Sequence, residues 1–358
     1  MPLSSIAHQR LHHQRISQTE FEKPEEVVSW MGAMQAQDYL GSLWAIGLRT
    51  KNATEADVEK ALTNRTIIRT WPMRGTLHFV APADARWMLK TFTPRVITRC
   101  AGIYKQEGLD KKTFTKSAKL LTAALEGGKQ LTRKEVYEVL ERGKVAAGNT
   151  RGLHILGHLA MQGLICFGAR KGKQPTFTLL DEWIPATKMP VAEEAMAAFT
   201  LRYFASHGPA TVQDFAWWTG LSTTEAKAAH EAVKSQLTEE TIQGITYWTA
   251  SSNSVVKTKS PGVYLLPGFD EYLLGYTNRT PAIDTTRYKQ IAGNGNGLLS
   301  STIVINSQIV GMWKRTIQKD TAIVEAQAFD TFNKTQKNAV AAAAKKYSKF
   351  LDLDVKII

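Results

Sequence analysis

Thr211-Val212-Gln213-Asp214-Phe215-Ala216-Trp217-Trp218-Thr219-Gly220, followed by Leu221-Ser222-Thr223-Thr224-Glu225-Ala226, decides the fold of this chain. Thr211 begins a capped helix and Gly220 closes it, since glycine takes the left-handed conformation that ends a helix without strain. Leu221-Ser222-Thr223-Thr224-Glu225-Ala226 then starts a helix that the pattern carries to about Gln236. Two helices joined by so short a turn read as a helix-turn-helix unit. A helix from Val191 to Ser206, ending at His207-Gly208, precedes them, and Gly244 in the following strand pair suggests a wing.

The same order recurs upstream. Thr132 caps a helix with Glu135, and Val136, Val139 and Leu140 supply its apolar face. Asn149-Thr150-Arg151 opens a second helix, ended by Gly163. A strand from Leu164 to Phe167, a basic turn from Gly168 to Gln174 and a strand from Thr176 to Leu180 then form a hairpin with a cationic wing of Arg170, Lys171 and Lys173. A looser copy runs from Pro24 to Val80, with helices from Pro24 to Met34 and Glu55 to Leu62. After Ser260-Pro261 short β-prone runs take over, among them Val263 to Leu266, Tyr272 to Tyr276 and Ile309 to Trp313. Gly293 to Gly297 reads as a flexible loop, and a last helix spans Thr335 to Phe350. The expected fold class is α+β: three tandem winged helices, then a small β-barrel or sandwich and a terminal helix. The segments are residues 1–127, 128–188, 189–260 and 261–358.

With 43% apolar and 22% charged residues in 358, the chain has the composition of a globular protein with a sizeable core. Its formal charge of +13 points to an anionic partner. Nucleic acid fits better than membrane, because no apolar stretch approaches a bilayer span. The N-terminus lacks the apolar core of a signal peptide, and Cys100 and Cys166 are the only cysteines. A cytoplasmic monomer is expected. Metal binding by His8, His12 and His13, or by His154 and His158, lacks the spacing of a known motif, and no phosphate loop is present, so no cofactor is expected.

Chemistry enters at Gln35-Ala36-Gln37-Asp38, just beyond a helical pattern of Val27, Val28, Met31 and Met34. In a continuing helix residues two apart diverge, but in extended backbone they share a face. Two convergent carboxamides hold a water without ionising it. They make a poor general base and suit a leaving group that departs readily, such as a cationic N7- or N3-alkylated purine. The competing reading is a pair of helix-terminus residues bonded to the backbone. The run from Arg65 to Arg99 carries seven basic residues and one acidic one, interleaved with Trp71, His78, Phe79, Trp87 and Phe92. Cations beside flat rings are the composition of a nucleic-acid surface. A core tryptophan with an arginine fringe is the alternative.

Together with Thr70-Trp71-Pro72-Met73-Arg74-Gly75-Thr76-Leu77-His78 and Pro267-Gly268-Phe269-Asp270-Glu271-Tyr272-Leu273-Leu274-Gly275-Tyr276, the Gln-apolar-Gln element resembles the AlkZ/AlkX winged-helix DNA glycosylases. The three segments stand in the family's order across most of the chain. The resemblance implies hydrolysis of the N-glycosidic bond of alkylated purines in double-stranded DNA, bulky cross-link adducts included. Gln37, where one branch of the family has Asp, places the chain nearer the AlkZ-like branch. Gln35 and Gln37 would then hold the water and the sugar cation. Arg74 and His78 would touch DNA near the lesion, and Arg69, Arg151, Arg170, Lys171 and Lys173 would contact phosphates. Asp270 and Glu271 invite a paired-carboxylate reading, but neighbours on a strand face opposite ways and cannot easily flank one bond. The rival function is a non-catalytic winged-helix regulator, which has no need of a Gln-x-Gln element; an RNA-directed enzyme is a weaker third.

Overall fold

Both helices of the opening stretch begin with a capping box in the computed structural model, which describes residues 3–185, 189–253, 262–293 and 298–358. The Thr211 side chain accepts from Asp214 N–H, and the Asp214 carboxylate accepts from Thr211 N–H at 2.9 Å. Ser222 and Glu225 make the same reciprocal pair. Helix Val212–Thr219 ends at left-handed Gly220, and Thr223–Glu231 follows after the short turn. The second helix is shorter than its pattern implied, giving way to a 3-10 turn at Lys234–Gln236. Strands Leu237–Ile242 and Ile245–Ala250 pair antiparallel around Gln243 and Gly244, both at positive φ. Such a two-residue turn matches the natural twist of a hairpin.

The chain divides into two compact units, one made of Met1–Glu59 with Met196–Ile358 and the other of Lys60–Ala195. Compactness therefore groups the four segments differently from their order in sequence. Within Lys60–Ala195, helices Lys111–Leu125, Arg133–Arg142 and Asn149–Met161 precede strands Ile165–Phe167 and Thr176–Leu179. The short strand Leu131–Thr132 adds to Thr176–Leu179, giving a three-stranded sheet beside the three helices. Their shared core holds Phe114, Leu121, Val136, Leu140, Ile155 and Leu159.

His158, which no sequence motif marks as a metal ligand, packs against this core. Its ring lies parallel to Phe114 at 3.6 Å, and burial pushes its pKa down to about 4. A histidine depressed in the folded state binds fewer protons there than in the unfolded chain, so stability is full above pH 6.5 and falls as pH drops toward 4. The loss attributable to this group is on the order of 2–3 kcal/mol. Urea unfolding at pH 7 and pH 4.5 checks this: His158→Phe should flatten the difference between the two midpoints. An unchanged difference would remove His158 from the account.

In the other unit, the C-terminal strands form one open sheet in the order Asp354–Ile357, Thr321–Ala328, Gln308–Gln318, Thr302–Ile305, Val263–Leu266. Among the described residues its first and last strands are not paired with each other, so the sheet is open where the sequence suggested a small barrel or sandwich. One cause is local. The run from Tyr272 to Tyr276, read as a strand, is the helical turn Glu271–Leu274, capped by the Asp270 carboxylate on Tyr272 N–H. Helix Lys334–Leu351 buries Val340, Ala344, Tyr347 and Phe350, the stripe its sequence implied with one residue more. The Trp44 ring packs on Tyr347 and Phe350 at about 5 Å, and its Nε1–H donates to Leu265 O. Trp44 sits in helix Tyr39–Gly47, which the sequence pattern did not indicate. The junction at Ser260-Pro261 and residues 294–297 of the glycine-asparagine loop lie outside the described residues.

Candidate active site

The first helix of the glutamine element ends earlier than its periodicity suggested. Helix Pro24–Met31 stops at Gly32, whose φ is +78°. A Cβ there would lie 2.9 Å from the Phe199 ring, so glycine is required twice over, for its backbone and for its space. Met34–Gln35 is then extended, Ala36 is buried, and a new helix begins after Asp38. Extended backbone puts Gln35 and Gln37 on one face, and Gln35 Nε2–H donates to Gln37 Oε1 at 3.5 Å. Gln35 is half-buried while Gln37 is exposed. Gln35 Oε1 is buried with no partner among the described residues, so one strong acceptor is left unspent.

The loop is held from behind by the Asp270-Glu271 pair. Glu271, 1% exposed, accepts Gln35 N–H on one oxygen and the Trp218 indole N–H on the other, both at 2.9 Å. His207 Nε2 stands 3.8 Å from that second oxygen, and burial lowers the His207 pKa, keeping the imidazole neutral. Asp270 turns the other way and takes both ends of the Arg49 guanidinium, at 2.8 and 2.9 Å. Arg49 also donates to the backbone and side-chain oxygens of Gln14, and Gln14 in turn donates to the Tyr276 hydroxyl. Buried charges persist only when paired and hydrogen-bonded in this way. The two carboxylates thus do not flank a common bond. One anchors an arginine and the other fixes the backbone of Gln35.

The cationic candidates belong to the Lys60–Ala195 unit. Strands Ile68–Met73 and Thr76–Val80 form a hairpin with Arg74 and Gly75 at its tip, both at positive φ. Arg74 Nη2 lies 3.1 Å from His78 Nε2, and His78 Nδ1 lies 3.0 Å from Thr76 O. That pattern makes the ring a neutral tautomer, donating from Nδ1 and accepting at Nε2. His78 is fully buried and stands against Arg74, which is the more exposed of the two. Arg69 is only 8% exposed and lies 4.5 Å over the Phe167 ring. Arg151 donates to Ala146 O from a half-buried position. Arg170 is half-buried, while Lys171 and Lys173 stand exposed at the hairpin turn; Lys171 reaches Glu135 at 3.1 Å.

Of the flat rings interleaved with the basic run, Phe79, Trp87 and Phe92 are buried core residues. Trp71 is half-buried at the edge of a core cluster and stacks on Phe167 at 5.1 Å. His13 of the N-terminal histidines bonds to Gly208 O. Arg49, Gln14 and Trp218 were not picked out from the sequence. Arg49 and Asp270 are 221 residues apart, so no local pattern links them.

A family model described as "DNA glycosylase AlkZ-like" matches residues 28–350. An interstrand DNA cross-link repair glycosylase from Streptomyces sahachiroi is 25% identical over 313 residues, which cover 81% of each chain. The solved structure of Streptomyces sahachiroi DNA glycosylase AlkZ superposes over the whole of both chains with a TM-score of 0.79 at 22% identity, a likeness of fold.

Proposed function

This chain belongs to the AlkZ-like DNA glycosylase family, and on that premise we propose that it hydrolyses the N-glycosidic bond of N7- and N3-alkylated purines in double-stranded DNA, interstrand cross-links among them. The observation that carries the reading is the carboxamide pair, joined at 3.5 Å with one buried acceptor unspent. A water donating to Gln35 Oε1 and accepting from the Gln37 amide N–H is oriented without being ionised. The bond from C1′ to the purine nitrogen breaks and takes its electron pair to the base, which departs neutral because it began as a cation. The sugar becomes oxocarbenium-like, and the amide oxygens stabilise it. The water adds to C1′ and loses its proton to solvent, leaving an abasic site. The enzyme is monofunctional, cytoplasmic and monomeric in this account and needs no cofactor, since the leaving group is activated by its own charge. Its three winged-helix segments present Arg74, Arg151, Arg170, Lys171 and Lys173 to phosphates.

Release of N7-methylguanine from methylated duplex DNA tests the proposal. A protein that binds the duplex and releases no base is a regulator, the rival reading. A second outcome follows from the cations. Each neutralised phosphate lowers log K by about 0.9 per decade of salt, so five contacts give a slope of about −4.5. Titration of DNA affinity between about 50 and 200 mM salt reads it directly. Affinity constant across that range would remove phosphate contacts from the mechanism.

A further inference from the structure

Both segments that build the amide pair continue into one cavity. Asp38, the residue after Gln37, lines a pocket of about 610 Å³ together with Gly268 and Phe269, which lead into Asp270-Glu271. The far wall is the open sheet, where Lys314, Glu325 and Gln327 are exposed, and Ser300 closes the remaining side. Strand register puts Met312 opposite Gln327 and Lys314 opposite Glu325, so these residues share one sheet face.

The pocket is built, not incidental. Asp38 precedes helix Tyr39–Gly47 but makes no side-chain cap bond there; its carboxylate lies 3.3 Å from Arg315 Nη2, and Arg315 Nη1 donates to the Tyr347 hydroxyl at 3.3 Å. Gly41 makes room for it, since a Cβ there would overlap the Asp38 carboxylate. On the other side Phe269 is held at φ +63°, a conformation that side chains rarely adopt without a compensating role. Gly268 approaches Leu299 O so closely that a Cβ would sit 2.7 Å from it. Both walls therefore depend on local arrangements that cost something to maintain.

We propose that this pocket receives the substituent carried by the alkylated base and selects polar, hydrogen-bonding substituents over apolar ones of the same length. The inference rests on the glycosylase reading above and names the part of the substrate that the amide pair leaves unheld. A methyl group occupies on the order of 30 Å³, about the share of one water, so the cavity is far larger than the simplest lesion needs. Its lining supplies carboxylates, amides, three hydroxyls, an ammonium and a guanidinium group beside apolar Phe269, Leu299, Met312 and Trp313. A polar chain satisfies these groups, whereas a hydrocarbon strips them of water without replacement.

The test uses the full chain and duplexes bearing one N7-guanine adduct: methyl, triethylene glycol, or an n-alkyl chain of equal length. The wild-type kcat/KM for the glycol adduct should exceed that for the alkyl adduct by about tenfold or more, a difference of about 1.4 kcal/mol. Gln327→Trp should lower the ratio of glycol to methyl kcat/KM about tenfold. Ser300→Trp, filling the pocket from the opposite wall, gives the same reading if Gln327→Trp fails to fold. Equal glycol and alkyl values, or a glycol-to-methyl ratio unmoved by the folded variant, would overturn the pocket assignment while leaving the glycosylase reading intact. Release of no base at all by wild type would overturn both.

Discussion

Asp270→Ala should cost the Met1–Glu59 and Met196–Ile358 unit about 3–5 kcal/mol, the range for removing one member of a buried ion pair. Arg49 and Asp270 are 0% and 2% exposed, so the guanidinium left behind is cut off from water, and Asp270 is its one ion-pair partner among the described residues. The loss extends beyond the pair, because Asp270 also accepts Tyr272 N–H and caps the turn that presents Glu271. Arg49→Met in the same chain removes the stranded charge and should restore a large part of the stability, since a well-packed apolar pair is often as stable as a buried salt bridge. Urea unfolding followed by tryptophan fluorescence measures both variants. A single mutant within 1 kcal/mol of wild type, on the order of a surface substitution, would mean that the pair is not what holds the motif.

The second large effect falls on rate instead of stability. Gln35→Ala and Gln37→Ala should each slow excision on the order of a hundredfold, about 3 kcal/mol, the usual cost of losing one preorganised polar contact. DNA affinity should hardly change, because the amides act on a water and a sugar cation that reach full strength only in the transition state. Gln37→Asp should be milder than Gln37→Ala, since a carboxylate also holds the water. The two alanine effects should not add fully, because Gln35 and Gln37 are bonded to each other and loosen together.

The helix-turn-helix at Thr211 to Ala226 was legible because its signals are local: two caps and a left-handed glycine act within four residues. The basic hairpin turn from Gly168 to Gln174 was legible for the same reason. Helix Tyr39–Gly47 was not, because Gly41 to Gly47 are all buried, and a helix apolar on every side shows no periodicity. The strand expected from Tyr272 to Tyr276 failed because a single side chain, Asp270, caps the backbone into a turn, and residue composition does not register that. The convergence of Gln35 and Gln37 was readable as a condition on the backbone. What meets the condition is Gly32, packed against Phe199 from a distant helix. Burial was not legible in residue type alone, since Arg69 and His78 carry the chemistry of phosphate contacts and are buried.

Single-turnover release of N7-methylguanine from one alkylated duplex, measured for wild type, Gln35→Ala and Gln37→Ala alongside their affinities for the same duplex, tests the central claim most directly. Excision about a hundredfold slower in each variant at unchanged affinity is the result predicted. Wild-type rates in both variants would make the carboxamide pair structural and contradict the mechanism.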